Sequence, residues 1–254
     1  MAKAIAKAKW IFEPTARHIR AIIGGETVAS SRRAMLMIES SYELTYYFPK
    51  GDVRTDLLEA SDHSESSGYR GTAQFWHVRV GNSVVENAAW TYPQTQDNRP
   101  DLSDYIAFVW KKVDHWYEED EEIFIHPRNP YVRVDTIRSS RHVRVEVDGV
   151  TIADTQRPIL LFETGLPTRY YIPLPDVNTQ YLVPTDLRTG CPYKGFANYW
   201  SIVVNGETYE NYVWGYMNPF DGLDKIRGLL AFYNEKLDIY VDGELEERPR
   251  THFS

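Results

Sequence analysis

The chain has 254 residues, 43% hydrophobic and 25% charged, which excludes a disordered or fibrous protein and leaves enough apolar side chains for a core. One cysteine, Cys191, excludes an internal disulfide framework and any zinc site built on several thiolates. The net charge of −8 divides as +2 over residues 1–16, −5 over 17–140 and −5 over 141–254, so neither long segment is a basic module and no nucleic-acid partner is expected.

Met1 to Trp10 set Lys3, Lys7 and Lys9 among alanines without the apolar run of a secretory signal. Residues 1–16 therefore read as a short amphipathic N-terminal arm. No stretch approaches the roughly 20 apolar residues of a membrane-spanning helix, so no membrane partner is expected. The expectation is a soluble, cytoplasmic protein, and a lone cysteine fits a reducing compartment.

The organising feature is an internal repeat. A shift of 124 residues aligns 17–120 with 141–244 without a gap, and 26 of the 76 positions from 17 to 92 are identical. Arg17, His18 and Arg20 fall on Arg141, His142 and Arg144; Tyr46, Tyr47 and Pro49 fall on Tyr170, Tyr171 and Pro173. Gly71, Ala73 and Trp76 match Gly195, Ala197 and Trp200, and Glu86, Asn87, Trp90 and Tyr92 match Glu210, Asn211, Trp214 and Tyr216. Two domains follow, 17–137 and 138–254.

In chain order, the first copy offers a turn at Gly24–Gly25, then strands at 34–39, 44–48, 73–80 and 84–91, the last two joined at Gly81–Asn82. In the second copy Val143, Val145 and Val147 alternate with polar residues and lead into an Asp148–Gly149 hairpin turn. Strands at 158–163, 168–172, 197–204 and 208–215 follow, the last two joined at Asn205–Gly206. Near the end of each copy the period changes. Ile106, Val109, Trp110, Val113 and Trp116, and likewise Ile226, Leu229, Leu230, Tyr233 and Leu237, follow helical spacing. The fold class expected is mainly β (α+β): two homologous compact antiparallel β-sheet domains, each closed by a C-terminal helix. The acidic run Glu118–Glu122 would end the first helix near Tyr117, and is either a solvated turn or a docking surface.

Several motifs carry a family resemblance. Glu163-Thr164-Gly165-Leu166-Pro167, then Arg169-Tyr170-Tyr171, Cys191-Pro192-Tyr193-Lys194-Gly195, Tyr199-Trp200 and Glu210-Asn211 with Trp214 and Tyr216, resemble domain-of-unknown-function family 427. Trp116-Tyr117-Glu118 through His126-Pro127-Arg128-Asn129-Pro130-Tyr131 resembles its tail. The resemblance implies a curved antiparallel sheet structure of β-tent type. It carries over no zinc, because the paired Cys-x-x-Cys ligands are missing, and a nucleotidyltransferase-like label attached to the family finds no supporting motif. The second copy keeps the motifs; the first has Ser40-Ser41-Tyr42-Glu43 and Ser67-Gly68-Tyr69-Arg70-Gly71 in their place.

Cys191 is the candidate nucleophile, with Lys194 three residues on to favour a thiolate, yet no general base is evident and a lone cysteine is also a small buried hydrophobe. Glu163, Arg169 and Lys194 form the best polar set for an anionic or planar ligand, although Glu163 and Arg169 are equally placed to form a salt bridge. Tyr170 would stack beside Arg169, and Tyr193 and Tyr199 would wall a pocket. Trp76 and Trp200, like Trp90 and Trp214, occur in both copies, which favours a core role, although Trp200 also belongs to the candidate ligand set. No metal or cofactor is expected. The leading function is the binding of a small polar or anionic molecule in an aromatic pocket of the second domain, and the alternatives are an enzyme using Cys191 or a protein-interaction module. Monomer and homodimer are equally open.

Overall fold

The computed structural model describes residues 10–40, 43–67, 71–94 and 100–254. The diverged first-copy residues Ser41, Tyr42, Gly68, Tyr69 and Arg70, and the arm up to Lys9, lie outside the described residues. The chain divides into two units, Met1–Asn129 and Pro130–Ser254, each built on the same plan.

In the first unit the strands are β1 (Ile11–Pro14), β2 (Ile19–Ile23), β3 (Glu26–Ser31), β4 (Met35–Ile38), β5 (Leu44–Pro49), β6 (Leu58–Ser67), β7 (Gly71–Val80), β8 (Ser83–Thr91), β9 (Tyr105–Phe108), β10 (His115–Glu118) and β11 (Glu121–Ile123). They form a seven-stranded antiparallel sheet in the order β1-β4-β5-β9-β8-β7-β6 and a four-stranded sheet β11-β10-β2-β3. Residues 11–14, read as part of an arm, pair with β4.

The second unit continues with β12 (Val134–Arg138), β13 (Val143–Val147), β14 (Val150–Thr155), β15 (Ile159–Glu163), β16 (Arg169–Ile172), β17 (Leu182–Cys191), β18 (Gly195–Val204), β19 (Glu207–Gly215), β20 (Leu230–Phe232), β21 (Asp238–Val241) and β22 (Glu244–Leu245). Its sheets run β12-β15-β16-β20-β19-β18-β17 and β14-β13-β21-β22.

Alternation explains the layers. Ile19–Ile23 and Val143–Val147 bury every second residue, because one face of each short sheet packs on the long one. In the second unit Val143, Val145, Ile152 and Ile239 meet Tyr170, Ile172, Ile202 and Phe232 in this inner core. The long sheet is also covered on its other face. There Leu161, Tyr171, Tyr199, Trp214, Tyr216 and Ile226 form a second, aromatic cluster, matched in the first unit by Met37, Tyr47, Phe75, Tyr92 and Leu102.

The expected closing helices are absent among the described residues. Residues 105–118 instead form β9, a 3₁₀ turn at Trp110–Lys112 and β10; residues 224–241 form a 3₁₀ turn at Asp224–Ile226, β20 and β21. The physical reason is double burial. β9 and β20 are central strands covered on both faces, so Ile106, Ala107 and Phe108 are all buried, and an apolar run of this length has no strand signature. The 3₁₀ turn then supplies the i, i+3 spacing that imitates a helix. Glu118–Glu122 is the β10–β11 hairpin: Glu118 pairs with Glu121 across it, and its buried carboxylate accepts from Arg17 and from the Tyr46 hydroxyl.

The repeated Glu-Asn motif is also structural. Asn87 (φ 49°) and Asn211 (φ 58°) sit in left-handed backbone at a register slip between β7 and β8 and between β18 and β19. Ser61 donates to the Asn87 side chain at 2.5 Å, and Thr185 donates to that of Asn211 at 2.6 Å. Asparagine tolerates this conformation better than other residues with a side chain.

Candidate functional site

The second-copy motifs gather on the outer face of the long sheet. Period-two alternation along β16 sends Arg169 and Tyr171 to that face and Tyr170 and Ile172 to the inner core. The expected ligand set therefore divides. Tyr170 is buried inside and donates to Glu246 at 2.6 Å; Trp200 packs half-buried against the same inner core. Neither shares a face with Arg169.

Arg169 is held tightly. Its guanidinium makes a two-pronged pair with Glu235, both bonds 2.6 Å, and donates to the Asn234 side-chain oxygen. The side chains are 6% and 0% exposed. The ring faces of Trp214 (5.4 Å), Phe253 (5.7 Å) and Tyr233 (5.9 Å) surround the cation. Thr251 donates to Glu235 at 2.7 Å, so the C-terminal segment closes the arrangement. Burial pushes the Glu235 carboxyl up, but the Arg169 and Thr251 hydrogen bonds and the Arg169 charge outweigh it and hold it below the usual carboxylate range.

Glu163 takes a different partner from the one weighed. It ends β15 and is followed by a tight turn in which Gly165 has φ +81° and Leu166 N–H donates to the Glu163 carbonyl. The side chain pairs with Lys194, and the two are 9% and 10% exposed. Lys194 lies in the β17–β18 hairpin, where its N–H donates to the Cys191 carbonyl and its own carbonyl accepts from Phe220 N–H. Gly195 next to it has φ +101°, and a Cβ there would come within 3.3 Å of the Asn218 carbonyl oxygen. Gly71 repeats this geometry, which accounts for the duplicated glycine.

Cys191, half-buried, opens the same hairpin turn, and Tyr171 and Tyr216 are buried in the aromatic cluster of the outer face. Burial raises the Tyr171 hydroxyl well above its ordinary value, against a lowering by the Trp214 hydrogen bond, and Glu163 and Cys191 add to the rise. Tyr216 is raised by burial and then by Tyr171, Cys191, Tyr199 and Glu163. Thr189 and Tyr199 share a hydrogen bond of 2.8 Å on the same face. Tyr193 is half-buried in the Cys191–Gly195 turn. The structure thus pairs Glu163 with Lys194, sets Cys191 in the same hairpin turn as Lys194, and assigns Arg169 to a separate buried pair.

Glu235, Asn234 and Thr251 escape sequence reasoning because two of them fell within the supposed helix. A signal existed in the repeat. Where the second copy has Arg169 and Glu235, the first has Thr45 and Lys111, so both members of the pair change together. His142, one of the two histidines of the second copy, pairs with Asp154 at 2.7 Å on the four-stranded sheet.

Two all-β units on one plan, one carrying a buried polar and aromatic sheet face, define a tandem β-domain protein. Residues 11–119 and 135–243 each match the family model described as Domain of unknown function (DUF427), and the chain belongs to that family. A comparison with curated proteins returned no match. No helix among the described residues is long and apolar enough to cross a membrane.

Proposed function

We propose that the second unit binds a small polar or anionic molecule on the outer sheet face, at the Glu163–Lys194 pair. The carrying observation is that this ion pair is buried, at 9% and 10% exposure, with Lys194 held in the hairpin turn that also carries Cys191. Burying two charges is costly where stability alone is served, since apolar residues of similar volume often do as well. An ammonium has three donors, and Lys194 directs one at Glu163, so an anionic oxygen would take another while Glu163 accepts from a donor on the same ligand. Arg169 supports this reading as a positioning residue, because its pairing with Glu235 fixes Trp214 and Tyr233 as aromatic walls. Convergent polar groups in an aromatic setting are the usual make-up of small-molecule sites.

Native mass spectrometry of freshly purified protein is the test, followed by thermal-shift titration with small carboxylates, phosphates and amides. The expected result is a retained or titrating ligand that Lys194→Met abolishes and Glu163→Gln weakens. The double variant, Lys194→Met with Glu163→Gln, removes both charges and serves as the folded control. A wild-type protein that binds none of the panel, or a Lys194→Met variant that binds as well as wild type, would overturn the proposal.

A further inference from the structure

The first unit carries a different opening. A cleft of about 470 Å³ lies between the Trp110–Lys112 turn and the β10–β11 hairpin, within the size range of small-molecule sites. Its aromatic wall is ordered from the inside. Trp116, 3% exposed, stacks with the fully buried Phe48 and also with Trp110, whose ring centroid is 4.7 Å away with the planes 3° apart. The Trp116 indole N–H donates to the Trp110 carbonyl at 3.2 Å, which fixes the pair. Trp110 is the half-buried member.

Ile125 lines the same cleft at 43% exposure and has φ +76°. A β-branched residue is strongly disfavoured in that conformation, and glycine would relieve it. Strain of this kind gathers where a side chain is held for a ligand. The remaining rim is acidic on balance. Glu122 accepts from His115 at 2.7 Å, Asp114 accepts from the Gly24 N–H at 2.6 Å, and Lys111 is the opposing charge. Indole faces attract cations, and carboxylates at the rim add to that preference. In the second unit the strand register puts Asp238 and Ile239 at the positions of His115 and Trp116, and Asn234 stands at that of Trp110, so this chemistry belongs to the first unit alone.

We propose that this cleft binds a flat aromatic cation of the arylalkylamine class, its ring against Trp110 and its ammonium at Glu122. The site is independent of the one at Glu163 and Lys194. The test uses the full chain and three probes that share one ring and differ in charge: tryptamine, 3-methylindole and indole-3-acetate. Isothermal titration measures affinity, and the indole N–H resonances of Trp110 and Trp116 report location. Tryptamine is expected to bind and to shift both resonances, with indole-3-acetate at least about tenfold weaker. Glu122→Gln should cost tryptamine about tenfold and leave 3-methylindole unchanged, Trp110→Asn should abolish binding of all three, and Lys194→Met should change nothing. Ile125→Gly, at an exposed position, keeps a folded test of the wall if Trp110→Asn does not fold, and should weaken tryptamine. Equal affinity for the three probes, unmoved indole resonances at millimolar tryptamine, or wild-type binding in both wall variants would overturn the proposal.

Discussion

Replacing Glu235 by glutamine keeps the side-chain shape and removes the charge facing Arg169. With the two side chains 0% and 6% exposed, the guanidinium is left without a counter-charge in a site closed to water. Breaking a buried pair from one side costs about 3–5 kcal/mol. The surviving bond to Asn234 and the ring faces of Trp214, Phe253 and Tyr233 soften the loss, which places the expectation near about 3 kcal/mol. For a unit the size of Pro130–Ser254, each kcal/mol moves the melting temperature by about 3–5 °C, so the second unit should melt about 10–15 °C lower. Differential scanning calorimetry measures this, and hydrogen exchange at β16 and β20 locates it. Arg169→Met combined with Glu235→Leu should recover most of the loss, since an apolar pair of similar volume is often neutral. A shift below about 3 °C in Glu235→Gln would refute the reasoning, because Arg169 would then not depend on Glu235 and would be free to serve a ligand.

Three further outcomes follow from the same geometry. Asp176 is held below its usual range by hydrogen bonds from Arg157 and Thr155; for Asp52 and Glu235, burial acts upward and is outweighed by Ser31 with Arg33 and by Arg169 with Thr251. Each folded carboxyl therefore titrates below its unfolded value of about 4, so melting temperature should hold from neutral pH down to about 5 and fall as pH drops through the folded values, less steeply in Glu235→Gln. Gly71→Ala places a Cβ 2.8 Å from the Gln94 carbonyl oxygen at φ +93°, against 3.3 Å in Gly195→Ala, so urea unfolding should show losses of about 2–3 and 1–2 kcal/mol, and losses under about 0.5 kcal/mol in both would contradict the geometry. Ile125→Gly relieves about 1–2 kcal/mol of backbone strain and loses about as much apolar contact, so its urea midpoint should stay near wild type, and a loss above about 1.5 kcal/mol would count against the strain.

The repeat and its hairpins were legible because they rest on local chemistry. Asp148–Gly149 and Asn205–Gly206 both adopt the paired positive φ values of a two-residue turn, closing Val147 on Val150 and Val204 on Glu207. The strand at 168–172 was legible too, and with it the opposite directions of Arg169 and Tyr170, a consequence of period two that grouping by motif obscured. The closing elements were not. Tyr105–Phe108 and Leu230–Phe232 are apolar throughout because both sheet faces are covered, and that coverage is a tertiary fact. The partner of Arg169 lay 66 residues away in one of those misread segments, beyond the reach of any short motif. The Glu163–Lys194 pairing likewise depends on strands that are not neighbours in the sheet.

The two units share a scaffold, and their chemistry differs at a small coupled set of positions. Thr45, Trp110 and Lys111 in the first occupy the places of Arg169, Asn234 and Glu235 in the second. Thr45→Arg alone would bring a second cation towards Lys111, with no carboxylate to fork around and no Asn oxygen to accept, and should cost about 3 kcal/mol or more if the side chain buries. Adding Lys111→Glu supplies the counter-charge, and adding Trp110→Asn supplies the acceptor while removing the stacked indole. The triple variant should therefore recover most of the stability lost by the single one and should lose the aromatic wall of the cleft, read by calorimetry and by tryptamine titration. A triple variant no more stable than Thr45→Arg would show that the pair also requires the Thr251 and Phe253 cap, which in the second unit reaches Arg169 and Glu235 from the C-terminal segment. In either case the coupling explains the unequal divergence: a buried ion pair is gained or lost as a set, because each intermediate leaves a charge without its partner.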